Sequence, residues 1–158
     1  MAAVVDVRIA CDDEGVPDTE TIRDWVQAAL ASASRGETGD FELAVCIVDA
    51  EEIRALNHRF RGQDKATNVL SFPAGEIAGL PAAARRMLGD IVVCAPVVRA
   101  EAGQQGKPLA AHWAHMLVHG TLHLLGYDHE AESDAAEMEG LEIEILASRK
   151  VTNPYRAC

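Results

Sequence analysis

Apolar and polar residues alternate from Val4 to Ile9, with Val5, Val7 and Ile9 on one side and Asp6 and Arg8 on the other. That period of two predicts a strand. The period then lengthens. Asp18 or Thr19 opens a helix carrying Ile22, Trp25, Val26 and Leu30 at helical spacing, and Gly36 and Gly39 bracket its exit. Phe41 to Val48 reads FELAVCIV, a β-branched and apolar run that predicts a buried strand. Asp49 caps a second helix whose Ile53, Leu56 and Phe60 share a face, and Gly62 breaks it. Val69 to Phe72 is a short strand stopped by Pro73. Residues 74–88, rich in Ala and Gly, read as a loop with a helical turn near Ala82 to Met87. Gly89-Asp90 then leads into a buried strand, Ile91 to Cys94. Pro96 suits the first turn of a helix that runs to about Gln105 and ends at Gly106. Pro108 to Leu124 is the strongest helix, with Gly126 as the residue just beyond its cap. Ser133 to about Arg149 is the last, with Met138, Leu141, Ile145 and Leu146 as its stripe.

The order β-α-β-α-β-β-α-α-α predicts an α+β fold: a small mixed sheet of about four strands packed with five or so helices. A chain of 158 residues without repeat, linker or low-complexity tract is expected to form one domain, 1–158. At this size a core forms without disulfides or a structural metal. The composition, 49% hydrophobic and 25% charged, is that of an ordinary globular protein.

The formal net charge of −11 argues against indiscriminate polyanion binding. Its distribution changes that picture. Residues 130–144 hold Glu130, Glu132, Asp134, Glu137, Glu139, Glu142 and Glu144 without a Lys or Arg, which reads as a solvated face. Residues 54–65 hold Arg54, Arg59, Arg61 and Lys65, a basic strip able to meet a phosphate chain. The four cysteines, Cys11, Cys46, Cys94 and Cys158, form no Cys-x-x-Cys pair and are neither a zinc knuckle nor a redox motif. With no signal-peptide pattern and no apolar run of about 18 residues, a cytoplasmic protein without a membrane partner is expected.

The chemistry concentrates in HGTLHLLGYDH, His119 to His129. His119 and His123 stand four apart, so a helix stacks them on one face, where two imidazoles reach one ion at roughly 2.0–2.1 Å. Gly126 turns the chain, and a turn of this length can bring His129 back toward them. Three protein ligands with an open fourth position mark catalytic zinc. Zinc is the expected ion because imidazole suits it, and imidazole also suits nickel, copper and iron. The apolar Leu122, Leu124 and Leu125 would keep solvent from such a site. His112 and His115 read as satisfied helix histidines, with a place behind the site or on its substrate side as the alternative for His115. Asp128 either orients a ligand imidazole or caps the turn. Zinc peptidases of the H-E-x-x-H type place their general base after the first His; that position is Gly120.

His119 to His129 closely resembles the signature of the YbeY family, bacterial ribosomal-RNA maturation factors that act as metal-dependent, single-strand-specific endoribonucleases. LNHRFRGQDKATNVLSFP (Leu56 to Pro73), LGDIVV (Leu88 to Val93), the helix with His112, Trp113 and His115, and EMEGLEIEIL (Glu137 to Leu146) extend the resemblance. It implies a small α+β domain with the three-histidine site in a cleft, one metal per chain, and a functional arginine at Arg61. It also implies single-stranded ribosomal RNA as substrate, action on the 3′ end of small-subunit RNA, ribosome quality control, and contact with the ribosome or its proteins. Under that reading His119, His123 and His129 hold zinc and, with Arg61, carry the catalysis. Arg61 would offer a planar, permanently charged fork matched to phosphate. Asn68 and Ser71 flank Val69-Leu70 and either line the cleft or serve as edge residues. Stacking surfaces for a single strand would come from Phe60, Phe72, Trp113 or Tyr127, residues more often packed in cores. Two other readings stand beside this one: a zinc-stabilised ribosome-assembly factor that does not cut, and another metal-dependent hydrolase such as a peptidase.

Overall fold

The computed structural model describes residues 3–33, 41–74, 86–127 and 132–155. Its elements follow the predicted order: β1 (Ala3–Ile9), α1 (Thr19–Ala33), β2 (Phe41–Val48), α2 (Ala50–Arg61), β3 (Val69–Pro73), β4 (Arg86–Cys94), α3 (Ala95–Gln105), α4 (Leu109–Leu124) and α5 (Glu132–Ala147). The class is α+β. The four-stranded sheet is mixed, in the order β1-β2-β4-β3. β1, β2 and β4 run parallel, while β3 pairs antiparallel with β4 and forms one edge.

The alternation along each strand sorts the core into two faces. Leu43, Val45, Ile47, Ile91 and Val93 point toward α1 and α4. Val48, Val92 and Cys94 point the other way, toward Ile53 of α2 with Leu70 and Phe72. β2 is apolar on both faces because it is an interior parallel strand. α4 is buried nearly all round, held between the sheet and α5: Ala114, Val118 and Leu122 meet Met138, Ile145 and Leu146. The helix that carries His119 and His123 is therefore also the central helix of the core.

Its end is fixed by backbone chemistry. The Gly126 N–H reaches the His123 carbonyl at 3.0 Å and the Tyr127 N–H reaches that of Leu122 at 3.1 Å, with Gly126 at φ 97°. These paired bonds form a Schellman cap, whose left-handed residue glycine occupies without strain. α2 is capped at both ends. The Asp49 carboxylate accepts the Glu52 N–H at 2.9 Å, and Gly62 takes the left-handed conformation at φ 70°.

The expectation for residues 74–88 needs correction. Residues 75–85 lie outside the described residues, but Arg86 and Met87 belong to β4 rather than to a helical turn. Gly89-Asp90 does not precede the strand; it lies inside it. The register with β2 slips between Glu42 and Leu43, so Leu88 is an extra residue opposite that step. Gly89 sits there at φ 133°, and a Cβ on it would collide with the backbone of Phe72, Pro73 and Ala74. Glycine inside a strand marked a bulge and a close approach.

Gly120 marks another close approach. A Cβ there would lie 2.8 Å from Ile91 Cγ2 and 3.3 Å from Val69 Cγ2. The Ser71 hydroxyl donates to the Gly120 carbonyl at 3.0 Å, which ties α4 to the edge strand. Gly120→Ala is expected to lower stability by about 1–2 kcal/mol in urea unfolding, because overpacking outweighs the better helix propensity of alanine. An unchanged midpoint would mean that the sheet yields at this point.

Candidate functional site

Helical spacing places His112, His115, His119 and His123 along α4, and the structure assigns them different surroundings. His119 Nε2 and His123 Nε2 lie 3.1 Å apart, with the rings nearly perpendicular at 78°. On the other side of His119, Nδ1 lies 2.9 Å from Glu142 Oε1. An ionised carboxylate only accepts, so Nδ1 carries the proton and donates it. That fixes the tautomer: Nε2 of His119 presents a lone pair toward Nε2 of His123.

Glu142 is fully buried, so its charge must be compensated locally. His115 Nε2 donates to Oε2 at 2.5 Å and the Tyr155 hydroxyl donates to the same oxygen at 2.6 Å. Burial alone would push the Glu142 carboxyl up; the hydrogen bonds from His115, His119 and Tyr155 outweigh it and hold the pKa at about 2. The Tyr155 phenol is driven well above its ordinary value, by burial and by the carboxylate it bonds. This carboxylate is the residue that sequence reading missed. It had been counted among the acids of a solvated face, and its neighbours Glu132, Asp134, Glu137, Glu139 and Glu144 are indeed exposed. Position 142, however, falls four after Met138 and four before Leu146, on the apolar stripe itself. That spacing was the available signal. Tyr155 follows the last helix and had none.

His112 faces away from this network. Its Nε2 bonds Glu101 Oε1 at 2.9 Å, and burial lowers its pKa despite that carboxylate. Its Nδ1 is buried with no hydrogen-bond partner among the described residues, so His112 is satisfied at one ring nitrogen and not at the other, whereas His115 stands behind the site. His129 and Asp128 lie outside the described residues.

One cleft of about 650 Å³ brings residues of the two sequence segments together: Arg61, Asn68, Ser71, His119 and His123 all line it. Arg61 crosses from the end of α2 to the sheet edge, where Nη2 donates to the Ser71 carbonyl at 2.7 Å. Its guanidinium carbon lies 5.4 Å from the centre of the Phe72 ring. Asn68 is engaged in structure. Its amide donates to Glu101 at 3.1 Å, and its Oδ1 accepts the Val69 N–H at 2.7 Å. Trp113 and Tyr127 are buried, while Phe60 is 56% exposed.

Among the described residues, two groups of atoms could hold a metal ion, and they share His119. The ligand atoms of His115, His119 and Glu142 lie within 4.8 Å of one another. Those atoms already satisfy one another, and Glu142 is inaccessible. The Nε2 pair of His119 and His123 fits a cation better. A separation of 3.1 Å with metal–nitrogen bonds of roughly 2.05 Å subtends roughly 100° at the ion, close to tetrahedral. This pair also borders the cleft. Glu142 then has the position of the carboxylate that commonly orients a ligand histidine through its other nitrogen.

The family model described as Endoribonuclease YbeY matches residues 8–150. The chain is 55% identical over 140 residues to Endoribonuclease YbeY of Halorhodospira halophila, covering 89% of this chain and 88% of that protein. It is 56% identical over 142 residues to the protein of the same name from Alkalilimnicola ehrlichii, covering 90% and 84%. Among solved structures, its fold is similar to the solution structure of TM1509 from Thermotoga maritima, with a TM-score of 0.58, 24% identity, and coverage of 97% of this chain and 99% of that one.

Proposed function

This chain belongs to the YbeY endoribonuclease family, hydrolases of RNA, and on that premise we propose that it is a metal-dependent endoribonuclease for single-stranded RNA, acting in ribosomal RNA maturation. The observation that supports this most is the cleft, where Arg61 from one segment meets His119 and His123 from another. His119, His123 and His129 are the proposed ligands of one ion per chain, zinc by the chemistry of three imidazoles. When bound, that ion supplies a Lewis acid for the phosphodiester group.

The chain's own residues do the rest. Glu142 keeps the His119 proton on Nδ1, so that Nε2 faces the cleft as a donor of electrons. Arg61 spends one N–H on the Ser71 carbonyl and is thereby held at the cleft wall. Its fork is positioned to receive a phosphate and to offset the charge that builds on the phosphorus oxygens. Action at the 3′ end of small-subunit RNA, a role in ribosome quality control, ribosomal contacts and a cytoplasmic location extend the family's role to this chain. Among the described residues no helix is long and apolar enough to cross a membrane.

The peptidase alternative meets a steric obstacle as well as a missing group. Position 120 is pressed against Ile91 and Val69, so no glutamate fits there without moving the sheet. The assembly-factor alternative is favoured only by the exposed acids of α5, a surface suited to a basic ribosomal protein.

Arg61→Ala is expected to retain the fold and the metal while slowing cleavage of single-stranded RNA on the order of 100-fold, the usual scale for one charge-stabilising donor. Initial rates on a labelled oligoribonucleotide, beside metal analysis and a melting curve, read this out. Cleavage at the wild-type rate would remove Arg61 from the mechanism.

A further inference from the structure

Phe60 is a large apolar side chain on the polar, exposed end of α2. Single exposed hydrophobics are common and need no explanation, but Phe60 has organised company. Its ring centre lies 5.4 Å from that of Phe72, edge to face. The Arg59 guanidinium carbon sits 5.2 Å from the Phe60 centre, and that of Arg61 sits 5.4 Å from the Phe72 centre. The order is cation, ring, ring, cation. Two cations gather at this corner in a chain of net charge −11: Arg59 and Arg61 lie here, the acids of α2, Glu51 and Glu52, lie at its opposite end, and a nearby acid, Asp90, pairs with Phe72 across the strands.

The corner adjoins the cleft directly. Arg61 follows Phe60 in sequence, Phe72 stands between Ser71 and Pro73, and Arg61, Ser71 and Pro73 all line the cleft. Among the described residues β3 is an edge of the sheet, with no further strand beyond it. We propose that Phe60, braced by Phe72 and flanked by Arg59, is the platform on which one unpaired nucleobase of the RNA stacks while its phosphates cross the cleft at Arg61. This rests on the endoribonuclease reading above and deepens it. A base in a duplex has both faces covered by its neighbours, so only an unpaired base can use the platform. The preference for single strands then has a physical source in this chain.

The test compares the metal-loaded full chain with Phe60→Leu and Phe60→Trp in steady-state cleavage of a single-stranded oligoribonucleotide. Leucine keeps the apolar contact with Phe72 but offers no π face; tryptophan restores one. Phe60→Leu is expected to lower kcat/KM roughly 5- to 100-fold, the range one base–aromatic stack supports. The loss should appear in KM, with kcat within about threefold, and with wild-type metal content and melting temperature. Phe60→Trp should recover most of it. If the wild type cuts and Phe60→Leu cuts with the same KM, the platform is wrong and the endoribonuclease reading stands. A lower kcat with unchanged KM also overturns the platform. If the wild type itself does not cut single-stranded RNA, both fail.

Discussion

Glu142→Leu is expected to lower stability by about 3 kcal/mol and to weaken metal binding by roughly 10- to 100-fold. The side chain it removes is fully buried and accepts from His115, His119 and Tyr155. Leucine fills much of the volume, so the loss is not chiefly a cavity. It leaves donors without an acceptor, each worth about 1–3 kcal/mol when inaccessible. The sum is discounted because His119 and Tyr155 are partly exposed and water can replace some of what they lose. Glu142→Gln separates the two effects. It keeps the shape, but its NH₂ group cannot accept. If that group faces His119, the proton must leave Nδ1 for Nε2 and the ring can no longer serve the cleft. The Gln variant is therefore expected to melt closer to wild type than the Leu variant while still losing metal affinity. Urea unfolding and competition with a zinc chelator measure the two quantities. Wild-type affinity in both variants would show that Glu142 has no part in orienting His119.

His123→Ala is expected to lose nearly all of the metal that wild-type protein carries, about one ion per chain, and with it RNA cleavage. A ligand removed from a three-histidine site costs more than the roughly 10- to 100-fold typical of a partner behind a ligand. His115→Ala is the discriminating companion. His115 is in contact with Glu142, 2.5 Å away, and lies outside the cleft lining. If the ion belongs to His119 and His123, His115→Ala should keep most of it, with a loss no larger than that of the Glu142 variants. Were the ion instead held by His115, His119 and Glu142, the ranking would invert, and His123→Ala would remain loaded. Metal analysis after exhaustive dialysis reads the ranking directly.

The elements were legible in the sequence because their signals are local. Val5, Val7 and Ile9 gave a period of two, Ile53, Leu56 and Phe60 a helical one, and Asp49, Gly62, Gly106 and Gly126 marked helix ends. The bulge at Gly89 was not legible. A Gly-Asp pair is a turn signal in isolation, and only pairing with both Leu43 and Phe72 shows it to be strand interior. At the site, the histidine spacing on α4 could be read from helix geometry alone. The approach of Arg61 to the histidines could not, since nothing local brings the end of α2 to the last turns of α4; only the family resemblance anticipated it. Glu142 was concealed by its neighbours. Seven acids without a cation suggest solvent, and among the described residues of that run Glu142 is the position whose helical phase points inward.

The claim that everything else depends on is that His119 and His123 direct Nε2 at one ion, with Glu142 behind His119. A crystal structure of the zinc-loaded protein tests it most directly. The expected density shows zinc within about 2.1 Å of Nε2 of His119 and of His123, with His129 as the third protein ligand and Glu142 still on Nδ1 of His119. Zinc seated instead between His115, Nδ1 of His119 and the Glu142 carboxylate would contradict the account.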